Sequence, residues 1–263
     1  MIPAPLPDDE AGRQAALERY AVLDSLPERR YDDITALIAM ICRAPIALVG
    51  LIDRDRNWLK SRHGIDIEAS PRALSFCGHA IVSGEAVFVV EDAREDARFA
   101  DNPIVAEHGV VGYAGAPLVD RDGFALGTLC VFSTAPLQLE VEQASALEAM
   151  ARQVMYLLER GLQERRLDRA SRELAARNVA LARFASAVTH ELRAPLGEIA
   201  ELAAALERHA GDRLDDADAA RLAGIGRRAA RLDRRMDELL EGRADGRPGG
   251  ERPDPASGPA EAA

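Results

Sequence analysis

The chain has 263 residues, of which 48% are hydrophobic and 4% aromatic, and its formal net charge is −11. This length accommodates one globular domain with helical extensions, and the negative charge argues against a protein that binds nucleic acid nonspecifically. No apolar run approaches the ~18 residues of a membrane span, and the first five residues lack the basic start of a signal peptide. We therefore expect a cytoplasmic protein with no membrane or nucleic-acid partner.

The cysteines and histidines do not form a recognisable metal-binding pattern. Cys42, Cys77 and Cys130 are isolated and lie in apolar sequence, which favours buried free thiols in a reducing compartment over disulfides. No histidine has metal-ligand spacing to another. We therefore expect neither a metal site nor a cofactor.

The first part of the chain combines helical and strand-like patterns. Apolar spacing predicts a helix over 9–25 that ends near Pro27, and a second helix over Tyr31–Ile41. Strand-like runs follow at Ile46–Leu51, Asn57–Ser61, Ala86–Val90, Tyr113–Leu118 and Phe124–Phe132. This order predicts an α+β fold in which helices flank an antiparallel sheet.

Several segments around these elements share a pattern with a known family. They are Leu23–Glu28, Pro45–Val49, Asp53–Arg62, Ser75–Ile81, Tyr113–Leu118 and Leu126–Cys130. Through them, residues 9–160 resemble a GAF domain of bacterial signalling proteins. The resemblance implies a GAF-type antiparallel sheet and a sensory role. It leaves the ligand unknown, because GAF domains share a fold more than a ligand.

Cys77 and His79 are the residues in this region that most suggest a bound group. Bilin-carrying relatives attach their chromophore through a cysteine next to a histidine, whereas Gly78 separates the two residues here. The cyclic-nucleotide signature of other GAF domains is also missing. We interpret Cys77 and His79 as buried core residues, and the sequence assigns no ligand.

A helical pattern then runs from about Leu137 to His209, far longer than an ordinary globular helix. One apolar stripe comprises Leu147, Met150, Val154 and Leu157, and a second comprises Leu167, Ala170, Leu174, Leu181, Phe184 and Val188. The stripes are out of phase across 161–166, where a coiled coil is locally unwound or overwound. Two interpretations stay open for this segment: a poorly packed linker, or a bistable joint that passes a movement along the helix.

Two polar residues stand out just beyond the second stripe. His190 lies two positions after Val188 and therefore faces outward, with Glu191 beside it. An imidazole is substantially neutral near pH 7 and can act as a nucleophile, and a carboxylate can orient the ring or accept its second N–H proton. This histidine is therefore placed to react with a molecule that docks from outside.

The segment Thr189–Leu196 closely resembles the H-box of sensor histidine kinases. The resemblance implies that His190 is the phosphoacceptor and Glu191 its acid/base neighbour. It also implies that Pro195 is the helix-bending proline, because proline has no N–H to donate to the carbonyl of Glu191. Many relatives carry Thr, Ser or Asn where this chain has Ala194, so the resemblance does not extend to the residue linked with dephosphorylation of the partner.

A second helical pattern completes a hairpin. The polar stretch 209–213 separates the helices, with Gly211 as a stop and Asp215 or Asp216 as the N-cap. The apolar stripe of the second helix comprises Leu222, Ile225, Ala229, Leu232, Met236 and Leu239. Two hairpins cover their apolar faces by pairing into a four-helix bundle, so we expect a parallel homodimer through about residues 140–240.

These patterns divide the chain into five segments. They are an N-terminal tail (1–8), a GAF sensory domain (9–160), a coiled-coil signalling helix (161–180), a dimerisation and phosphoacceptor hairpin (181–242) and a disordered tail (243–263). The last segment is rich in Gly and Pro and cannot bury a core.

The sequence contains no Gly-rich phosphate cradle and no Asp-x-Gly-x-Gly box, and an ATP-binding domain needs on the order of 100 residues. We therefore expect His190 to be phosphorylated in trans by a partner kinase catalytic domain and to pass the phosphoryl group to a response-regulator receiver domain. Two other classes stay open. One is a non-catalytic GAF sensor dimer that modulates a partner kinase or response regulator; the other is a small-molecule-binding protein with a helical stalk.

Overall fold

The computed structural model of the protein describes residues 1–210, 213 and 215–244. The chain divides into two units, Met1–Asp168 and Arg169–Ala263. We call them the sheet domain and the helical unit. The boundary lies close to the predicted end of the sensory domain, inside the long predicted helix.

Within the fully described sheet domain, six strands form one sheet in which all neighbours are antiparallel. The strands are β1 (Ile46–Ile52), β2 (Arg56–His63), β3 (Ala69–Pro71), β4 (Phe88–Val90), β5 (Gly112–Val119) and β6 (Ala125–Ser133). Their order across the sheet is β3-β2-β1-β6-β5-β4. The predicted antiparallel sheet is confirmed, and the short strand β3 is an addition to it.

Helices flank this sheet, as the sequence predicts. They are α1 (Glu10–Tyr20), α2 (Arg29–Cys42), α3 (Phe76–Ala80) and α4 (Pro103–His108), with a 3-10 turn at Arg72–Leu74 before α3. The first helix is shorter than predicted. It ends at Tyr20 because Ala21 adopts the left-handed conformation (φ 44°) and donates its N–H to the carbonyl of Glu18, which closes the helix.

The long predicted helix is confirmed as α5 (Val141–Ala210). At its start the side-chain oxygen of Gln143 accepts a hydrogen bond from the backbone N–H of Glu140 (3.0 Å), a capping-box contact. Leu147 and Val154, from the first predicted stripe, are fully buried in the core of the sheet domain itself. These two side chains therefore pack within the sheet domain and are not part of an exposed stripe.

The sheet is buried on both faces, and β1 shows this most clearly. Val49 and Leu51 belong to the hydrophobic cluster that includes residues of α1, α2 and the start of α5, whereas Leu48 and Ile52 belong to the cluster that includes α3. Successive side chains of a strand point to opposite faces. A strand that is covered on both sides is therefore apolar at every position, as β1 is.

The segment before α1 is attached to the sheet domain, where the sequence indicates a tail. The backbone N–H of Ile2 donates to the carbonyl of Arg98 (3.1 Å), and that of Ala4 donates to the carbonyl of Ala73 (3.3 Å). The first residues therefore form part of this unit's surface next to α3.

An ionic cluster joins α1 to the rest of the sheet domain. Glu10 accepts hydrogen bonds from Arg13 (2.8 Å to each carboxylate oxygen) and from Arg72 (2.5 and 3.1 Å). The two arginines are only 1% and 5% exposed, and they also donate to the carbonyls of Ile52 (2.7 Å) and Asp53 (3.1 Å). Burial raises the pKa of Glu10, but the hydrogen bonds from both arginines outweigh it and hold that pKa well below its ordinary value.

In the helical unit, the C-terminal part of α5 pairs with α6 (Asp216–Ala244). Asp215 is the N-cap of α6, because its side chain accepts a hydrogen bond from the N–H of Asp218 (2.7 Å). Across the hairpin, the Nε of Arg193 donates to a carboxylate oxygen of Asp233 (3.1 Å). The two helices predicted for this region are thus present.

Most residues of the predicted apolar stripes on the two helices of the hairpin are exposed in a single copy. Phe184 is 69% exposed and Leu232 is 53% exposed, whereas Ala229 is buried. The predicted helix stop at Gly211, the side chain of Leu239 and the predicted tail from residue 245 onward lie outside the described residues.

We expect Glu10→Gln to lower the free energy of unfolding of the sheet domain by about 3–5 kcal/mol, because it leaves two buried guanidinium charges without a counterion. Trp58, the single tryptophan, is buried in this domain, so its fluorescence during urea unfolding measures the change. The matched control is Glu18→Gln on the same helix, which removes an exposed ion pair with Arg54 (2.9 Å) and should cost less than about 1 kcal/mol. Equal losses in the two variants would contradict the role assigned to Glu10.

Candidate functional site

A cavity lies on the α3 face of the sheet. It is lined by Ile46, Leu48, Asn57, Leu59, Ile65, Ile67, Ser70, Ser75, Phe76, Ile104, His108, Val110 and Phe132. An apolar lining with a few polar groups is typical of a small-molecule site. The volume of about 30 Å³ holds about one water molecule, so a larger ligand has to displace part of the wall.

Asn57, on β2, supplies a buried polar group to this lining. Its side chain is 4% exposed, and its Nδ2 lies 3.6 Å from the Sγ of Cys77. Its Oδ1 has no hydrogen-bond partner among the residues that the structure describes. A buried amide oxygen without a donor costs free energy, so a ligand or water that offers an N–H or O–H would be stabilised here.

One wall of the cavity is the short helix α4, and Asn102 fixes its start. The Oδ1 of Asn102 accepts a hydrogen bond from the N–H of Ile104 (3.0 Å), and its Nδ2 donates to the carbonyl of Leu74 (2.7 Å). At the other end, Gly109 has φ 61°, a left-handed conformation that glycine adopts readily. The side chain of Asn102 thus holds the N-terminus of α4, and a glycine, which is conformationally permissive, follows its C-terminus.

Cys77 and His79 are buried on α3, as the sequence interpretation expects. The Nε2 of His79 lies 3.1 Å from the carbonyl of Ile2, and its ring packs edge-on against Phe99 with centroids 4.9 Å apart. Burial lowers the pKa of His79, which favours the neutral form of the ring. Within the fully described sheet domain, neither residue belongs to the cavity lining.

The helical unit contains the other candidate site. His190 and Glu191 are both exposed on α5, and Pro195 lies inside the same helix. Directly before His190, the hydroxyl of Thr189 donates to the carbonyl of Ala185, one turn earlier in the helix (2.8 Å). Adjacent helix positions point in different directions. Accordingly, no hydrogen bond between the His190 ring and the Glu191 carboxylate is present in the described part of the hairpin.

This geometry determines what the exposed pair can do. An imidazole in solvent is accessible to a bulky phosphoryl donor, and a carboxylate one residue away can reach the ring or the donor after a rotamer change. Pro195 removes a helical hydrogen bond four residues after Glu191. The pair is therefore accessible to a docking protein, but it is not held in a preformed catalytic contact.

Comparison with known proteins identifies the sheet domain. A family model described as GAF domain matches residues 10–158, more than half of the chain. The chain belongs to the GAF-domain family. The fold expected from the sequence resemblance is therefore confirmed for this part of the molecule.

The chain is also similar in sequence to a named bacterial protein. The chain is 40% identical over 157 residues to a cyclic di-GMP phosphodiesterase of Pseudomonas aeruginosa. The match covers 59% of this chain and 27% of the relative, so the chain spans about a quarter of that protein's length.

The chain also has similarity to solved structures at low sequence identity. The GAF domain of an Acinetobacter phosphoenolpyruvate-protein phosphotransferase is 16% identical with a TM-score of 0.43, and it covers 59% of this chain and 95% of its own. A free methionine-R-sulfoxide reductase from Neisseria meningitidis is 18% identical with a TM-score of 0.44, and it covers 62% of this chain and 98% of its own.

Over the described ranges, no helix is both long and apolar enough to cross a membrane. The described residues likewise contain no group of three or more His, Cys, Asp or Glu side chains arranged to hold a metal ion.

We expect Asn102→Ala to loosen α4, because it removes both the N-cap and the bond to Leu74. The backbone amides of 104–108 should exchange with deuterium faster, while those of β5 and β6 are unchanged. Loss of a cap costs about 1 kcal/mol, so global unfolding should change little. Asn178→Ala, at an exposed helical position, is the control, and similar exchange of α4 in both variants would show that Asn102 does not hold this wall.

Proposed function

We propose that the chain is a GAF-domain signalling protein of the two-component type, in which His190 accepts a phosphoryl group and passes it to a response-regulator receiver domain. The observation that carries the proposal is the exposure of His190 and Glu191 on α5 within a two-helix hairpin. The H-box pattern over Thr189–Leu196 supports the same role. The sheet domain would supply the sensory input.

The chemistry follows from the two side chains. A neutral ring nitrogen of His190 attacks the γ-phosphorus of ATP, the bond to the β-phosphate oxygen breaks, and ADP leaves. Glu191 orients the ring and accepts the proton of the second ring nitrogen as positive charge develops. In the second step a receiver aspartate takes the phosphoryl group from the histidine nitrogen, and the ring regains its neutral form.

The phosphoryl donor is a partner kinase catalytic domain. The described residues form a sheet domain and a helical hairpin, and neither contains a Gly-rich loop that cradles a triphosphate. The hairpin therefore acts as the substrate of the ATP-bound catalytic domain of that partner kinase. Purified chain should remain unlabelled with ATP alone and become labelled when such a domain is added.

We infer that two copies of the hairpin pair into a four-helix bundle. In one copy, large apolar side chains of both helices are exposed, including Leu181, Phe184 and Leu232. Exposed apolar residues at three-and-four spacing are typical of a coiled-coil interface. The exposed apolar residues of α5 that would enter this interface also include Leu167 and Leu174.

A non-catalytic GAF sensor dimer is the second candidate. The observation that favours it is the match with the Pseudomonas aeruginosa relative, whose name describes a different output. A GAF domain of this kind is thus compatible with more than one effector. In this alternative, the hairpin binds a partner kinase or response regulator without accepting phosphate.

Labelling of His190 separates the two candidates. With an added sensor-kinase catalytic domain and labelled ATP, His190→Gln should abolish acid-labile label on the chain, because the accepting nitrogen is lost. Glu191→Ala should slow labelling by about 10²-fold, the usual scale for loss of a general acid/base. His209→Gln, at another exposed position of the same helix, is the control and should label normally. Label that survives His190→Gln would show that His190 is not the acceptor, and no label on the unmodified chain would favour the non-catalytic dimer.

The dimer has its own test. Phe184→Lys combined with Leu232→Lys should convert the protein to monomers in sedimentation velocity, because the charges would be buried in the bundle. Ala176→Lys combined with Ala220→Lys adds the same charge at exposed positions outside the stripes and should leave the dimer intact. A dimer that survives the first double substitution would place the interface in the sheet domain.

A further inference from the structure

Two of the three cysteines lie side by side inside the sheet domain. The Sγ atoms of Cys77 and Cys130 are 3.7 Å apart, and the residues are 1% and 0% exposed. Cys77 is on the short helix α3 and Cys130 is on β6, so 53 positions of sequence separate them. The third cysteine, Cys42, is equally hidden but belongs to the hydrophobic cluster on the opposite face of the sheet.

Several polar groups lie near this pair within the hydrophobic cluster on the α3 face of the sheet. The Nδ2 of Asn57 lies 3.6 Å from the Sγ of Cys77. On the same side, the hydroxyl of Tyr113 donates to the Oγ1 of Thr128 (3.5 Å), and both of these residues are fully buried. Hydrogen-bond donors around a sulfur stabilise its thiolate, the reactive form of cysteine.

Because of these hydrogen bonds, the pKa values of the two thiols shift in opposite directions. The hydrogen bond from Cys130 lowers the pKa of Cys77, and contacts from Thr128, Tyr113 and Ser75 lower it further against the effect of burial. Burial raises the pKa of Cys130 well above its ordinary value. Burial alone raises the pKa of Cys42 to about 11. Cys77, which also receives the contact from the Nδ2 of Asn57 (3.6 Å), is therefore the better placed of the two to act as the thiolate, and Cys42 serves as the reference thiol within the same chain.

A route to the pair is provided by the cavity. Asn57, whose amide touches Cys77, lines this cavity together with Ser75 and Phe76, the residues that precede Cys77 in the chain. Leu48, another lining residue, is directly opposite Cys130 in the sheet. The cavity lining is thus adjacent to both cysteines through Asn57 and Leu48, and this is the route that we assign to a small uncharged oxidant.

We propose that Cys77 and Cys130 form an oxidation site that hydrogen peroxide, or another small hydroperoxide, closes to an intramolecular disulfide. This site goes beyond the phosphotransfer proposed for His190 and does not depend on it. In this proposal, the molecule that enters the cavity is the peroxide itself.

The reaction balances without any further reactant. The thiolate of Cys77 attacks one peroxide oxygen, the O–O bond breaks, and the departing hydroxide takes a proton to become water, which leaves a sulfenic acid. Cys130 then attacks that sulfur, its thiol proton leaves with the hydroxyl group as a second water, and the S–S bond forms. Overall, two thiols and one peroxide give one disulfide and two waters.

Formation of the disulfide requires α3 and β6 to move closer together, and α3 is the element that moves more. The sulfurs must approach from 3.7 Å to about 2.05 Å. Cys130 is held in the middle of β6 between β1 and β5, whereas α3 has only five residues and follows a 3-10 turn. The shift therefore falls mainly on α3, and it draws Phe76 and the adjacent cavity wall towards the sheet.

The test uses the full chain, reduced and then exposed to hydrogen peroxide. After denaturation, alkylation of free thiols and digestion, mass spectrometry should find a Cys77–Cys130 linked peptide with Cys42 alkylated, and about tenfold less of any crosslink that involves Cys42. The rate should rise in proportion to peroxide concentration, and dithiothreitol should restore both thiols. Cys42→Ser should form the disulfide at the same rate.

Three results would overturn the proposal. The first is equal alkylation of all three cysteines after peroxide treatment. The second is oxidation of Cys77 to a sulfinic acid without a crosslink. The third is a rate that does not depend on peroxide concentration, because unfolding and not the cavity would then control access. In urea, where the native contact is lost, the preference for Cys77 with Cys130 should disappear.

Discussion

A single carboxylate, Glu10, balances two arginines that the fold buries almost completely. Through Arg13 it fixes α1 against the end of β1, and through Arg72 it fixes the 3-10 turn that leads into α3. Buried charges are tolerated only when they are paired. One side chain thus joins the helices on one face of the sheet to the element that carries Cys77 and part of the cavity wall on the other face.

Much of the fold is specified by local sequence. The uninterrupted apolar run of β1 and the helical spacing over Tyr31–Ile41 lead directly to elements that the structure contains. The end of α1 is not predictable in this way, because it depends on Ala21 adopting a left-handed conformation that its residue type does not favour. Periodicity also assigns an apolar face to Leu147 and its neighbours, but it does not indicate whether that face packs within the chain or against a partner.

The candidate sites differ in how far sequence can identify them. His190 is found because its motif is contiguous and its helix presents it to solvent. The cavity side chain Asn57 and the thiol pair are not found, since their contacts join positions that are 20 and 53 residues apart. Asn102 likewise acts by bonding to the carbonyl of Leu74, which is 28 positions away. Only the folded sheet domain brings these groups together.

A sheet that is buried on both sides keeps the packing of its two faces separate. Leu48 faces the cavity and Val49 faces the helices, yet they are consecutive residues of one strand. Substitutions on one face leave the packing atoms of the other in place, and the effects of mutations at sites without shared partners are usually additive. Substitutions in the cavity lining are therefore expected to alter the cavity while the helix-packing face of the sheet, which holds the start of α5, stays intact.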